Sequence, residues 1–263
     1  MKVIAVANQK GGTGKTTTAN NLAACLVRHS RKVLAIDLDS QADLTSSLGL
    51  SPDDLDNTIY GVLKDEQSIK EVVVEIQPGL DLVPANLEMA SLDMEMVGAI
   101  NRDQRLRRAL RGLPRPYDYI LLDTPPSLGV SSINAFAASD IVLVCVQTHV
   151  LPFRAVKKLL LTVNNVAKHY ELSIATYALP TMFEKTANAH KAVLEQLRER
   201  FDPYCFSPIH KNVRLIEAQA AQSSIIDYDI SSSGAVDYLR LASEVINEFE
   251  ERQDQQNAGR LSN

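Results

Sequence analysis

The sequence predicts an α/β fold, a doubly wound and mostly parallel sheet with helices on both faces, and three observations carry that expectation. Short apolar runs rich in Val, Ile and Leu, at residues 3–7, 33–36, 80–83, 120–122 and 141–146, show little alternation of polar and apolar residues. Strands covered on both faces read this way, because neither side of the pleat meets water. Patterns of helical period lie between the runs, and strands alternating with helices specify parallel pairing through crossovers. The first run also leads straight into a glycine-rich loop, and in such sheets ligands gather at the carboxyl ends of the strands.

Taken in order, the run 3–7 forms the first strand, and residues 17–29 form the helix that follows its loop. The second strand, 33–36, ends in two aspartates, and the third spans 80–83. A long helical pattern over 87–111 leads to the strand 120–122 and a short helix at 132–137. The strand 141–146, a helix at 155–169 and a further strand at 174–179 complete the sheet. Helices at 187–201 and 235–252 close the chain, so residues 1–252 read as one domain. Residues 253–263 are polar, lack periodicity and are expected to fray into solvent.

Composition narrows the function classes. A chain of 263 residues, 45% of them hydrophobic, can bury a large core, and its unbroken α/β alternation favours one domain over two. The net charge of −5 gives no global basic field, so nucleic-acid contact requires a local patch. Cys25, Cys145 and Cys205 are far apart and have no histidine at ligand spacing, which argues against a zinc site or a disulfide framework and for free thiols. No apolar run approaches the length of a membrane span, and the first strand begins at the amino terminus, so a cytoplasmic location is expected.

The chemistry starts at Asn8-Gln9-Lys10-Gly11-Gly12-Thr13-Gly14-Lys15-Thr16-Thr17. A strand, a glycine-rich loop and a helix N-terminus in that order make a phosphate cradle: glycines let backbone N–H groups curl around the anion, and the helix end is positive. Lys15 would reach the terminal phosphates and Thr16 would hold Mg²⁺. The usual pattern G-x-x-x-x-G-K-[ST] is missed by one position, because Gln9 stands where its first glycine belongs and Lys10 follows. At the second strand end, Asp37 and Asp39 are two residues apart, so in extended backbone they share a face that looks into the ligand crevice. The run 120–122 ends in Asp123 and is followed by Thr124-Pro125-Pro126-Ser127-Leu128-Gly129, as a strand does when it sets a carboxylate on metal-bound water.

The K-G-G-x-G-K-T-T form of residues 10–17 resembles the deviant Walker A motif of the ParA/MinD group of P-loop ATPases. The likeness continues through Pro84-Ala85-Asn86, Val146-Gln147-Thr148, Pro180-Thr181-Met182 and Asn212-Val213-Arg214-Leu215, and it is nearest to the partition-type, Soj-like members. The resemblance implies a Mg²⁺-dependent ATP hydrolase with slow basal turnover that dimerises around ATP. It assigns Lys10 to the partner's nucleotide, Asp39 to the attacking water and Asp37 to the Mg²⁺ shell, and makes residues 125–129 a switch that follows the γ-phosphate. It sets adenine near Thr181 and Met182 on one side and His210 to Asn212 on the other. Ser40 and His210 stand where the family commonly has proline.

It also implies partners: a second copy across ATP, non-specific duplex DNA, and a ParB-like or adaptor protein that stimulates hydrolysis, with nucleoid association when ATP is bound. For DNA, Lys185, Lys211 and Arg214 are the candidate contacts, whereas Thr186, Ser223 and Ser231 to Ser233 replace residues that are often basic in the family. The cluster Arg102, Arg105, Arg107, Arg108, Arg111 and Arg115 has three open readings: a solvated helix face, a partner-docking face and a DNA-contacting face. The cargo stays open among plasmid, chromosome and protein assembly. An alternative is a MinD-like regulator of division or flagella acting on a membrane or protein scaffold. Residues 250–263 offer no apolar stripe for a membrane anchor. A redox protein like the nitrogenase iron protein would need paired cluster-ligating cysteines that the chain lacks.

Overall fold

The computed structural model describes residues 1–149 and 153–251. Its elements are β1 (Lys2–Ala7), α1 (Lys15–Arg28), β2 (Val33–Asp37), α2 (Asp43–Ser47), α3 (Ile59–Lys64), α4 (Ile69–Val72), β3 (Val74–Gln77), β4 (Leu80–Val83), α5 (Leu92–Glu95), α6 (Arg105–Ala109), β5 (Tyr119–Asp123), α7 (Val130–Ala138), β6 (Ile141–Gln147), α8 (Phe153–His169), β7 (Ala175–Thr181), α9 (Asn188–Phe201), α10 (Val213–Ala220), α11 (Ile225–Tyr228) and α12 (Ser233–Ile246). The strands form one seven-stranded sheet in the order β3-β4-β2-β5-β1-β6-β7. Every pairing is parallel except β3 with β4.

The continuous apolar runs have the reason anticipated for them. Along β1, Val3, Ala5 and Ala7 join a core with α3, α6, α7 and α8, while Ile4 and Val6 join a second core with α1 and α12. Both faces are therefore dry, and the doubly wound expectation holds. The topology also positions a site. β1 lies between β5 and β6, with Val6 beside Asp123 and Ala7 beside Val144, so the loop after β1 opens between the ends of both neighbours.

The long helix expected over 87–111 does not form. Residues 87–112 break into 3₁₀ turns at Leu87–Ala90, Arg102–Gln104 and Leu110–Gly112 and the short helices α5 and α6. Gly98 and Asn101 adopt left-handed φ values of 79° and 53°, which interrupt the helical hydrogen-bond ladder between the two halves. Leu92, Met96, Leu106 and Leu110 are still buried, so the spacing that suggested one helix comes from two pieces folded onto the same core. β3, the antiparallel edge strand, was not anticipated. It is four residues long and only half-buried, too short for period-2 alternation to stand out. α12 ends at Ile246 and continues as a π-helical stretch, Asn247–Glu251. The tail expected at residues 253–263 lies outside the described residues. Among the described residues no helix is long and apolar enough to cross a membrane. Cys25 and Cys145 are buried free thiols and Cys205 is half-buried; burial pushes the first two up to about 12 and the third to about 11.

Candidate active site

The loop after β1 is shaped by two glycines. Gly12 and Gly14 hold φ values of 70° and 85°, a region that β-carbons disfavour, and Gly14 is the residue that opens α1. With Lys15 and Thr16 as its first residues and no acidic side chain in its first turn, the 14-residue α1 presents free N–H groups and a positive end to the cleft. Side chains from the neighbouring strands turn the loop's carbonyls outward. The Thr181 hydroxyl donates to the Thr13 carbonyl (2.9 Å), and the Gln147 amide nitrogen donates to the Gly12 carbonyl. Asn8 accepts from the Lys10 N–H (3.0 Å) and donates to the Cys145 carbonyl (2.5 Å), tying the loop's entry to β6.

The two loop lysines have different surroundings. Lys15 is 7% exposed beneath the loop, whereas Lys10 is exposed at its rim and donates to Gln147 Oε1 at 3.2 Å. A cleft of about 690 Å³ opens above them. Its walls are Gly11 to Thr17, then Asp39, Ser40, Gln41 and Asp43 beyond β2, Pro125 to Ser127 beyond β5, Met182 beyond β7, and Ile216 and Gln219 of α10.

The acids sort by their partners. Asp37 and Asp123 lie opposite one another on β2 and β5 and are both fully buried. Asp37 accepts from the Thr45 N–H (2.9 Å), the Thr45 hydroxyl (2.8 Å) and the Asp39 N–H (3.1 Å). Neither oxygen of Asp123 has a hydrogen-bond partner among the described residues. Burial, and for Asp123 the neighbouring Asp37 carboxylate, raises both carboxyls above the ordinary range, with the Thr45 bonds opposing this at Asp37 and Thr16 and Lys15 opposing it at Asp123. Asp39 is half-buried on the cleft wall and accepts from the Gln41 N–H at 3.1 Å. A buried carboxylate set beside the Thr16 hydroxyl, with no well-formed hydrogen bond among the described residues, is a hard-oxygen arrangement that suits Mg²⁺.

The segment expected to switch leads directly into α7. Gly129 precedes that helix, and Asp93 Oδ1 accepts the Val130 N–H at 2.7 Å, a cap supplied from α5. A β-carbon at residue 129 would lie 2.1 Å from Asp93 Oδ2, so a larger residue there would have to displace the capping carboxylate.

Similar chains have been found with this architecture. The model of the AAA domain family matches residues 1–176. The sporulation initiation inhibitor protein Soj of Bacillus subtilis is 40% identical over 247 residues, covering 93% of this chain and 98% of Soj. The chromosome partitioning protein ParA of Myxococcus xanthus is 39% identical over 249 residues, covering 93% of this chain and 88% of that protein. The chain belongs to the ParA/Soj family of P-loop ATPases. Among solved structures, the cobyrinic acid a,c-diamide synthase of Mycobacterium smegmatis with bound ATP analogue and magnesium superposes with a TM-score of 0.83 at 31% identity, covering 95% of this chain and 96% of that one. One fold thus carries differently named activities.

As a ParA/Soj ATPase, the chain brings Gly11 through Thr17, Asp39 and Met182 to one cleft, with Lys10 on the rim of the loop and Asp37 and Asp123 buried at the strand ends beneath it. Of the residues anticipated beside adenine, Thr181, His210 and Asn212 sit elsewhere, and Thr181 is buried behind the loop on the Thr13 carbonyl. His210 lines a second groove with Phe183, Glu184 and Arg240, where its backbone N–H and Nδ1 bond Asp237 Oδ2 at 2.7 and 2.8 Å. Asn212 accepts the Arg214 N–H (2.9 Å) as the cap of α10 and donates to Ser233 Oγ (2.9 Å). Ile216 and Gln219, one and two turns into α10, face the cleft in their stead. Neither had a motif to mark it; only the helical spacing from Asn212 could have pointed to them. Gln147 was visible only as part of a resemblance, with no role attached.

The candidate DNA cations are largely paired. Lys211 reaches Glu184 (2.9 Å), and Arg214 reaches Glu217 (2.7 Å) and Asp229 (3.5 Å). Lys185 is exposed on the rim of the His210 groove. In the arginine cluster, Arg102 and Arg105 donate to the Met96 and Leu63 carbonyls (3.3 and 2.9 Å), Arg108 pairs with Asp65 (3.3 Å), and Arg115 with Asp81 (2.7 Å) and Glu75 (3.3 Å). None of its three readings anticipated this: four of the six arginines anchor neighbouring segments, and of the remaining pair Arg107 is half-buried and Arg111 exposed.

Proposed function

We propose that this partition-type ATPase is an ATP-dependent dimerising switch that positions DNA or a large cargo, and that Mg²⁺-ATP occupies the 690 Å³ cleft with its phosphates on residues 10–17. The observation that carries the reading is the contrast between Lys15, buried under its own loop, and Lys10, exposed on the rim of the same loop. Lys15 already serves the phosphates of its own chain. Lys10 therefore has most to gain from a second copy's phosphates, in an interface that excludes water and strengthens the attraction.

Each remaining residue has a task in this reading. Thr16 and Asp123 would hold the Mg²⁺, with Asp37 behind them, and the ion would supply positive charge to the phosphates. Asp39 orients the water that attacks the γ-phosphorus. Pro125 to Ser127 sense the γ-phosphate, and the Asp93 cap on Val130 carries a shift of that segment into α7. Met182 and Ile216 offer apolar contact to the base. Turnover is slow until an adaptor completes the site, and the ATP dimer binds duplex DNA through Lys185, Lys211 and Arg214, which associates it with the nucleoid.

Light scattering on an Asp39→Ala variant, chosen to slow turnover, tests this directly. ATP with Mg²⁺ should double the mass, ADP should not, and adding Lys10→Ala should leave nucleotide binding intact. An unchanged mass with ATP would overturn the switch reading. Titrating a labelled random duplex at several salt concentrations, with ATP and with ADP, tests the track: ATP-specific, sequence-independent binding supports the nucleoid, and its absence at low salt removes it.

A further inference from the structure

We infer that Gln147 is a positioning residue of the phosphate loop, whose one side-chain amide both fixes the Gly12 peptide and holds Lys10 beside its own chain until a second copy is present. The inference rests on the dimer reading above only for the Lys10 half.

Gln147 is the last residue of β6, 7% exposed, and its amide sits between two loop atoms of opposite demand. Lys10 Nζ can only donate and meets Gln147 Oε1 at 3.2 Å; the Gly12 carbonyl can only accept and meets Gln147 Nε2. The two partners together fix which way the amide faces. The same nitrogen lies 3.4 Å from Met182 Sδ, on the wall opposite α1. Few side chains could replace it. Leucine fills the space and satisfies neither partner. Glutamate would bind Lys10 more tightly but would set a carboxylate against the Gly12 carbonyl.

Both contacts matter for binding an anion. A peptide unit that turns its carbonyl outward turns its N–H inward, and Gly12 can reverse its orientation because glycine has no β-carbon to resist. Gln147 restrains that reversal for the Gly12 carbonyl, as Thr181 does for Thr13. The Lys10 contact works in the other direction. An ammonium bonded to a neutral amide in its own chain must leave it to reach another chain's phosphates, so the hold opposes dimerisation by a modest amount that nucleotide from a second copy can exceed.

The test uses Gln147→Leu and Gln147→Glu in the full chain with two readouts. Calorimetric titration with Mg²⁺-ADP reports the loop in the single chain: both variants should bind about fivefold more weakly, the loss expected for one hydrogen bond. Sedimentation at saturating Mg²⁺-ATP in the Asp39→Ala background reports Lys10. There Gln147→Leu should dimerise at lower protein concentration than the parent and Gln147→Glu at higher. That opposite movement should vanish when Lys10→Ala is added. Melting without nucleotide should not separate the two variants, which a packing role would do. Parental ADP affinity in Gln147→Leu, or a shift of dimerisation in the same direction for both variants, would overturn the inference. If Lys10→Ala alone dimerises like the parent, the dimer reading fails instead, while the ADP titration still decides the role of Gln147 at Gly12.

Discussion

The nucleotide cleft and the outer rim handle charge in opposite ways. Beneath the cleft, Asp123 is buried beside Thr16 and a buried Lys15, with neither oxygen in a well-formed hydrogen bond among the described residues. On the rim, Lys211 and Arg214 are exposed and each is matched to a carboxylate within 3 Å. Burying a charge without a partner costs several kcal/mol, roughly, and a fold retains such an arrangement where a ligand supplies the missing partner. An exposed pair costs little and points to nothing beyond itself. Unpaired burial thus marks the cleft as incomplete, whereas the rim is already balanced and must give up internal pairs before it can bind an anion.

Removing Lys15 should have the largest effect. Lys15→Ala deletes the buried cation under the glycine-rich loop and, on the proposed reading, should weaken Mg²⁺-ATP and Mg²⁺-ADP binding about 100-fold or more, measured by calorimetry. Asp39→Ala, on the same cleft wall but half-buried, should leave both affinities within about twofold and abolish turnover. Equal losses in the two variants would erase the distinction between gripping the phosphates and acting on water.

Asp123→Asn sharpens the claim that the buried acid awaits a cation. In chelator, without nucleotide, the variant should be more stable than the parent by about 1 kcal/mol at pH 7, because an amide escapes the cost that burial imposes on a carboxyl that holds its proton more tightly than it does in the unfolded chain. The sign with pH follows from the raised carboxyl. The folded parent binds its proton more tightly than the unfolded chain does, so parental stability falls as pH rises above 3.8, the ordinary value, and the advantage of Asp123→Asn grows over the same interval. With Mg²⁺-ADP the order should invert, since the variant loses a ligand. Denaturant melts at pH 4 and pH 7, with and without Mg²⁺-ADP, check both signs, and a parent that outlasts the variant in chelator at pH 7 would contradict the reading.

The rim responds more weakly and in both directions. Arg214→Ala should reduce ATP-dependent duplex binding about threefold for every sequence and lower the salt slope by about 1. Glu217→Ala frees Arg214 from its shorter pair and should raise affinity about twofold. Fluorescence anisotropy at several salt concentrations reads both. If Glu217→Ala leaves affinity unchanged while Arg214→Ala lowers it, the internal pairing does not restrain the rim.

The same contrast explains what the sequence could disclose. The strands, the glycine-rich loop and the placement of Lys15 and Asp39 at the cleft were legible because local rules set them: dry strands lack alternation, a strand that runs into glycines and then a helix cradles phosphate, and an acid beyond a strand end reaches the crevice, although Asp123 at the end of β5 is buried beneath it. Residues 87–112 were not, since left-handed Gly98 and Asn101 redirect a chain whose apolar spacing alone reads as one helix. His210 and Asn212 left the cleft for a similar reason. Their partners, Asp237 and Ser233, are more than twenty residues away, and no local pattern announces a contact made at that range.

Arginines 102–115 give the smallest expected effect on DNA, and the comparison depends on its being small. Arg105 is half-buried with its guanidinium on the Leu63 carbonyl, so α6 is anchored to α3 by a bond that an apolar replacement cannot make. Arg105→Ala should cost about 1 kcal/mol of folding stability, and Arg108→Ala, whose pair with Asp65 is exposed on both sides, much less. The double variant should bind a random duplex with ATP as the parent does, at every salt concentration. A flattened salt slope would mean that these arginines leave their internal partners for phosphate. The rim would then extend across α6, and pairing within the chain would no longer tell a structural cation from a functional one.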